Sequence, residues 1–373
     1  MSTTAPLPLA WERPVPVHGS LKFEQMVSPR GKENSDSDCP GAEGGPSRKG
    51  RNTNNRDPAV EGQAVARSRE HEVPSGEKIG GRLKDLIMNH RKGLKNMYGE
   101  TEEELNNSLE APIKRGEEMA RKLITEMGCS REVTIDLTVL ALYDVAILIS
   151  DSNSMIYEQN GARKKALIQF IDRITEICSM ANEFGVLALR FMNHRGGKKN
   201  WTGKSQEYLD HHSYGDATRI GTELKKKILN KFATGNPNQS KPLLVLIVTD
   251  GGIEGEKRSH LKSVIRDCVK EREGAGKGRE AVRFQFTRIG NGPGAAQLLV
   301  DLDEDRDIRE YIDVLPVEFD LERLLADKWF ILPKILLGAI LPEWGQDEIK
   351  DLLSDSDKYA EYTDSGDDWA DSD

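Results

Sequence analysis

The stretch Ala146-Ile-Leu-Ile-Ser-Asp-Ser-Asn-Ser-Met155 joins an apolar run to a cluster of oxygen-bearing side chains. The run from Val145 to Ile149 is short and continuously apolar, which is typical of a strand buried on both faces of a parallel sheet. The polar residues that follow, Ser150 to Ser154, would lie at the carboxyl end of that strand. Ligands of open α/β sheets bind at this end of the strands.

A second stretch, farther along the chain, has the same arrangement. Leu243 to Val248 is again continuously apolar, and it ends in Thr249-Asp250-Gly251-Gly252. Between and after these strands, segments with helical spacing alternate with further short apolar runs. The sequence therefore predicts an α/β fold of three layers, in which a doubly wound, mostly parallel sheet is covered by helices on both faces.

The remaining elements of this fold are predicted from apolar spacing. The predicted helices are residues 161–184, with a stripe through Leu167, Phe170, Ile171 and Ile174, then Ile220–Phe232, Leu261–Val269, Ala295–Leu302 and Leu321–Leu337, the last interrupted at Pro333. The further predicted strands are Val186–Met192, Val282–Phe286 and Tyr311–Val314.

Composition divides the chain of 373 residues into four parts. Residues 1–78 are rich in Pro, Gly, Ser, Asn and Arg and predict a disordered region. Residues 79–142 predict a helical extension, with a capping box at Thr101–Glu104. The α/β domain covers 143–338, and residues 345–373 form an acidic tail that we expect to be disordered. An interaction motif is the alternative for this tail, because Tyr359, Tyr362 and Trp369 lie among its carboxylates.

Charge and cysteine content exclude several classes of protein. The net charge of −9 comes almost wholly from the tail, so the rest of the chain offers no broad basic surface for nucleic acid. The four cysteines lack the CxxC spacing of zinc sites. The first residues do not resemble a signal peptide, and Trp329–Leu341, the longest apolar stretch, is too short to span a bilayer. We expect a cytoplasmic protein, with the nucleus as the alternative location.

The two oxygen-rich strand ends suggest a site for a hard divalent cation. Mg²⁺ prefers about six oxygen ligands, usually with one or two carboxylates. Ser152 and Ser154 occupy alternate positions of one loop and could face one ion. Thr218 on a second loop and Asp250 at the second strand end could complete the set.

These residues and their order resemble the von Willebrand factor type A domain and its metal-ion-dependent adhesion site. The matching phrases are Ser150-Asp-Ser-Asn-Ser154, Thr218 in Gly-Asp-Ala-Thr-Arg-Ile-Gly-Thr, and Asp250 in Ile-Val-Thr-Asp-Gly-Gly. The motif is most similar to the intracellular form that is abundant in fungal genomes. The resemblance covers roughly 143–338 and implies a Rossmann-like fold that binds protein partners without catalysis.

In that family the cation is Mg²⁺, and a carboxylate from the partner protein completes its coordination. The resemblance implies that Ser152, Ser154 and Thr218 hold the ion here and that Asp250 acts through water. This chain departs from the pattern at Ser150, where the family has an anchoring Asp. Asp151 is an alternative anchor, but one step along a strand turns a side chain to the other side. We therefore expect a weakened, degenerate site.

Three alternatives remain open from the sequence. One is a metal-free scaffold whose tails recruit the partners. Another is a phosphohydrolase of the haloacid dehalogenase type with Asp151 as its nucleophile, although Asn153 stands where that motif has its second Asp. The third is that Asp250 only caps the turn that follows it. His211 and His212 are expected to lie in a polar surface loop rather than to bind a ligand.

Overall fold

The computed structural model describes residues 72–157, 161–215, 217–315 and 328–345. The predicted disordered region is described only from residue 72, and the acidic tail only at residue 345. Asp216, which neighbours Thr218, also lies outside the described residues. The statements that follow concern the described ranges.

Six strands form one sheet in the order β3-β2-β1-β4-β5-β6. The strands are β1 (Asp144–Ile149), β2 (Val186–Phe191), β3 (Gly197–Trp201), β4 (Leu243–Thr249), β5 (Val282–Arg288) and β6 (Ile312–Val314). Every neighbouring pair is parallel except β2 and β3, which are antiparallel. The fold is thus α/β with a mostly parallel sheet, which confirms the predicted class.

Helices cover both faces of this sheet. In chain order they are α1 (Gly76–Asp85), α2 (Lys95–Tyr98), α3 (Glu102–Thr125), α4 (Arg131–Leu137), α5 (Ser154–Tyr157), α6 (Ala162–Ala181), α7 (Ser205–Asp210), α8 (Ile220–Glu223), α9 (Asn230–Phe232), α10 (Arg258–Gly274), α11 (Pro293–Asp303) and α12 (Lys328–Leu337). Shorter helical turns are π-helical at Leu86–His90 and Leu224–Leu229, and 3₁₀ at Lys92–Leu94, Thr138–Leu142, Arg279–Ala281, Arg309–Tyr311 and Pro342–Trp344.

The central strand β1 shows why its sequence is continuously apolar. Val145, Ile147 and Ile149 point into one core layer, while Ala146 and Leu148 point into the other. Successive side chains of a strand face opposite sides of the sheet, so a strand covered on both sides needs apolar residues at every position. The first layer packs against α1, α3, α6 and α12, and the second against α8, α10 and α11.

The helices before β1 share the core of the sheet. Ile79 on α1 and Leu123 on α3 are fully buried in the same apolar layer as β1. The predicted capping box is confirmed, because the Thr101 hydroxyl accepts from the Glu104 amide and the Glu104 carboxylate accepts from the Thr101 amide. Helix α1 begins at Gly76, earlier than the predicted boundary at 78, because Ser75 accepts from the Lys78 amide and caps it.

Two elements differ from their sequence patterns. Strand β3 has the sequence Gly-Lys-Lys-Asn-Trp, without an apolar pattern, because it is an exposed edge strand held by backbone pairing to β2. Helix α12 contains Pro333 and continues through it to Leu337. Two other sequence expectations concern membranes and cysteines. None of the described helices is long and apolar enough to cross a membrane. Three cysteines are described, and all are buried as free thiols.

A buried polar network joins α12 to the sheet. The Lys334 ammonium lies 3.4 Å from the Asp313 carboxylate of β6, and both side chains are at most 5% exposed. The Gln285 amide donates to Asp313 at 2.7 Å and accepts from the Ala339 backbone at 3.2 Å. Burial raises the pKa of Asp313, and the Lys334 charge together with the Gln285 hydrogen bond opposes part of this shift.

Replacing this ammonium tests the network. Lys334→Met should lower the free energy of unfolding by about 3–5 kcal/mol at neutral pH, because it leaves a buried carboxylate without its counter-charge. A raised folded-state pKa penalises folding only above the unfolded value of about 3.9. The deficit should therefore shrink as the pH falls toward that value. Urea unfolding across this pH range measures it.

Two controls accompany this variant. Lys270→Met removes an exposed ammonium from α10 and should change stability by less than about 0.5 kcal/mol. The double variant Lys334→Met/Asp313→Asn removes both charges and should recover part of the loss. A deficit in Lys334→Met that is the same at all pH values would contradict the role given to Asp313.

Candidate functional site

The carboxyl ends of β1 and β4 meet at the centre of the sheet. Ile149 pairs with Val248 in register, and the Ser150 amide donates to the Val248 carbonyl at 2.8 Å. The loop after β1 and the residue Asp250 after β4 therefore emerge at the same edge. The parallel pairing of the two apolar strands alone places the loop after β1 beside Asp250. The polar residues need not contribute to this placement.

Three serine hydroxyls converge on the Asp250 carboxylate. Ser150 donates to Oδ1 at 2.7 Å, Ser152 donates to Oδ2 at 2.7 Å, and Ser154 also donates to Oδ2. The Ser152 and Ser154 hydroxyls lie 2.7 Å apart. We call Ser150, Ser152, Ser154 and Asp250 the serine–aspartate cluster. The structure brings together these four of the six predicted site residues.

Arg163 is a fifth member of this site that sequence reasoning missed. Its side chain is 1% exposed, and its Nη1 lies 3.6 Å from Asp250 Oδ2. Its Nη2 approaches the Asn291 side-chain oxygen at 3.4 Å. A signal for its burial exists in the sequence, because Arg163 precedes Leu167 by four residues and Phe170 by seven on the predicted apolar stripe of α6.

The loop after β5 packs on the Arg163 guanidinium. Gly290 has a φ of +73°, and a Cβ at this position would lie 2.1 Å from Arg163 Nε. Only glycine fits both the backbone conformation and this approach without displacing the arginine. The sequence around Gly290 is therefore matched to the position of Arg163.

Thr218 lies beside the cluster on a neighbouring loop. Its side chain is buried, and a Cβ built on Gly251 would lie 4.0 Å from its hydroxyl oxygen. Its carbonyl accepts from the Glu254 amide at 3.0 Å, which ties the loop before α8 to the loop after β4. The structure thus places Thr218 next to the residue that follows Asp250.

Asp151 faces away from the serine–aspartate cluster. Its carboxylate is fully buried and accepts from the Asn193 amide at 2.7 Å, the His194 amide at 2.9 Å and His212 Nε2 at 2.9 Å. Its carbonyl accepts from the Gly215 amide at 2.9 Å. Asp151 therefore holds the loop of Asn193 and His194 and the loop of His212 at the end of β1 by hydrogen bonds. It contributes no oxygen to the serine–aspartate cluster.

His212 differs from the expected surface histidine. Its side chain is 1% exposed, and its ring lies 3.9 Å from the Phe191 ring and 4.9 Å from the Tyr214 ring. Burial and the nearby Asp151 charge raise the pKa of Tyr214 to about 12, so the phenol stays neutral. The polar sequence around His212 concealed its burial, because its partner Asp151 is sixty-one residues away in the chain. His211 is exposed, as expected.

The residues at this edge do not fit a resident Mg²⁺ ion. Such an ion usually binds one or two carboxylates that are open toward it. Here the one carboxylate of the serine–aspartate cluster already faces three hydroxyl donors and the Arg163 guanidinium.

Comparisons with known proteins give distant structural similarities. No protein-family model and no curated protein matches the sequence. A von Willebrand factor type A structure from Catenulispora acidiphila is 15% identical with a TM-score of 0.33, over 51% of this chain and 42% of that one. The ArnB paralog VWA2 from Sulfolobus acidocaldarius is 14% identical with a TM-score of 0.30, over 50% and 43%. The chain thus spans less than half of either structure, and likenesses of this size support no functional assignment.

The substitution Asp151→Asn tests whether the Asp151 carboxylate stabilises the two loops that hydrogen-bond to it. The amide keeps the shape but turns one acceptor into a donor, which then faces an N–H group or the His212 ring. We expect a loss of about 2–3 kcal/mol in unfolding free energy, measured by urea denaturation. Asp210→Asn, at a half-exposed carboxylate on α7, is the matched control and should change stability by less than about 0.5 kcal/mol. Equal effects of the two variants would contradict this role.

Proposed function

We propose that this chain is a non-enzymatic protein-interaction module built on a von Willebrand factor type A-like domain with a degenerate adhesion site. The order Ser-x-Ser-x-Ser, Thr and Asp along the chain supports this, together with the convergence of the hydroxyls on Asp250. Little or no affinity for Mg²⁺ remains in this proposal, because Ser150 replaces the anchoring carboxylate.

The exposure of the residues around the serine–aspartate cluster carries the proposal. We call the exposed residues Asn153, Tyr157 and Arg219 the rim of the site. Tyr157, on the helix that begins at Ser154, is 78% exposed, although a large aromatic side chain favours burial. Asn153 and Arg219 are also exposed, on the loops that carry Ser152 and Thr218. Tyrosine and arginine dominate the energetics of protein interfaces. An exposed Tyr beside a polar strand edge is therefore suited to a protein partner.

The phosphohydrolase alternative agrees poorly with the position of Asp151. A nucleophilic carboxylate must reach the substrate, whereas this carboxylate is fully buried and accepts three hydrogen bonds from within the fold. Turnover of a generic phosphatase substrate that Asp151→Asn abolishes would support the enzyme alternative. In the scaffold alternative the tails recruit the partners. Substitution of the exposed residues around the site should then leave partner binding unchanged.

Tyr157→Ala tests whether the rim binds the partner. Phe184→Ala is its matched control. Phe184 is a 55% exposed aromatic residue that precedes β2 and so lies at the amino ends of the strands, away from the site. Proteins captured from a lysate would be quantified for the natural chain, both variants and chains lacking 1–71 or 346–373. We expect Tyr157→Ala to weaken capture of specific partners about tenfold or more, with Phe184→Ala unchanged.

Two results of this experiment would contradict the proposal. One is capture that depends on either terminal segment and not on Tyr157, which would favour the scaffold alternative. The other is equal capture by the natural chain and by Tyr157→Ala for every specifically bound protein.

Thermal melting tests the degenerate character of the site. A ligand that binds only the folded state raises the melting temperature by mass action. Millimolar Mg²⁺ or Mn²⁺, compared with EDTA, should leave the natural chain unchanged. Ser150→Asp adds a second carboxylate beside Asp250 and should gain a shift of several degrees. An equal shift in both proteins would show that the natural site already binds the ion. Ser259→Asp, at an exposed position of α10, is the control for added charge.

A further inference from the structure

We infer that the Arg163 guanidinium is a built-in cation that takes the place of a divalent metal ion at the serine–aspartate cluster. The inference rests on the proposed function of this site and deepens it, because it makes partner binding independent of metal ions. It also changes the kind of partner chemistry that the site accepts.

The first support is the electrostatic balance of the cluster. The Asp250 side chain is completely buried, and its three serine donors are neutral. A carboxylate removed from water needs an opposite charge as well as hydrogen bonds, because its desolvation is costly. Arg163 Nη1 lies 3.6 Å from Asp250 Oδ2, the oxygen to which Ser152 and Ser154 donate. It thus supplies the positive charge on the side where the hydroxyls converge.

The second support is that the fold holds Arg163 there from several sides. It is the second residue of α6, where the positive end of the helix dipole disfavours a cation. Its position is therefore not explained by the helix itself. The Asn291 side-chain oxygen lies 3.4 Å from its Nη2, and Gly290 leaves room for its Nε. Elements after β1, β4 and β5 are thus arranged around one guanidinium.

A consequence concerns the partner. A bound metal ion can offer an open coordination position to a partner's carboxylate, but Arg163 is 1% exposed and cannot be reached. The accessible groups are the half-buried Ser152 and Ser154 and the exposed Asn153, Tyr157 and Arg219. Such a surface fits a polar and aromatic patch of a protein, and a partner carboxylate that would ligate a metal ion is unnecessary.

Variants of Arg163 test the inference without any partner. Arg163→Gln removes the charge and should lower the melting temperature by roughly 10 °C. Millimolar Mg²⁺ or Mn²⁺ should then restore several degrees relative to EDTA, because the ion compensates Asp250. Arg163→Lys keeps a charge and should not respond to metal. Arg173→Gln, at an exposed position of the same helix, is the control and should behave as the natural chain does.

A direct titration of the natural chain decides the matter even if Arg163→Gln fails to fold. Calorimetry with MnCl₂ should detect no binding tighter than millimolar, and Asp250→Asn should give the same trace. Saturable binding to the natural chain that Asp250→Asn abolishes would overturn the inference, and so would a folded Arg163→Gln that is indifferent to metal. These results are separable from the proposed function, since partner capture through Tyr157 is measured independently of metal.

Discussion

The hydrogen bonds and ion pair received by Asp250 are the interaction on which the site depends. One buried carboxylate gathers the loop after β1 through three serines and the start of α6 through Arg163. Without a counter-charge the carboxylate would be too costly to bury, and without the hydroxyls its oxygens would lack hydrogen-bond donors. The same contacts that stabilise the edge of the sheet therefore also determine its chemistry.

This cluster can form only because the register of the sheet is fixed. Parallel pairing of Ile149 with Val248 aligns the two strand ends, and a shift by one residue would turn every side chain to the opposite face. Asp151 shows the effect of a single step. Adjacent to Ser150 and Ser152 in sequence, it points toward the loops around Asn193 and His212 and binds them instead. Neighbouring acidic and hydroxyl groups thus have separate roles.

Local sequence contained enough information for the sheet and for the convergence of Ser152, Ser154 and Asp250. Continuous apolar strands imply burial on both faces, and polar residues at their ends imply a shared edge. The remaining features depend on contacts distant in sequence. Strand β3 has no apolar pattern because only its backbone pairing defines it. His212 is buried by its partner Asp151, and its polar neighbours gave no indication of this.

Arg163 is the most instructive of these features. An arginine on an apolar stripe is ordinarily expected to extend its charged end to solvent. Here the stripe of α6 packs on the sheet and its first turn lies where β4 ends, so the end of the Arg163 side chain meets the Asp250 carboxylate instead of water. Ser150 supplies a neutral hydroxyl to this cluster, so Asp250 is its one carboxylate. The cluster therefore needs one compensating positive charge, and the Arg163 guanidinium provides it.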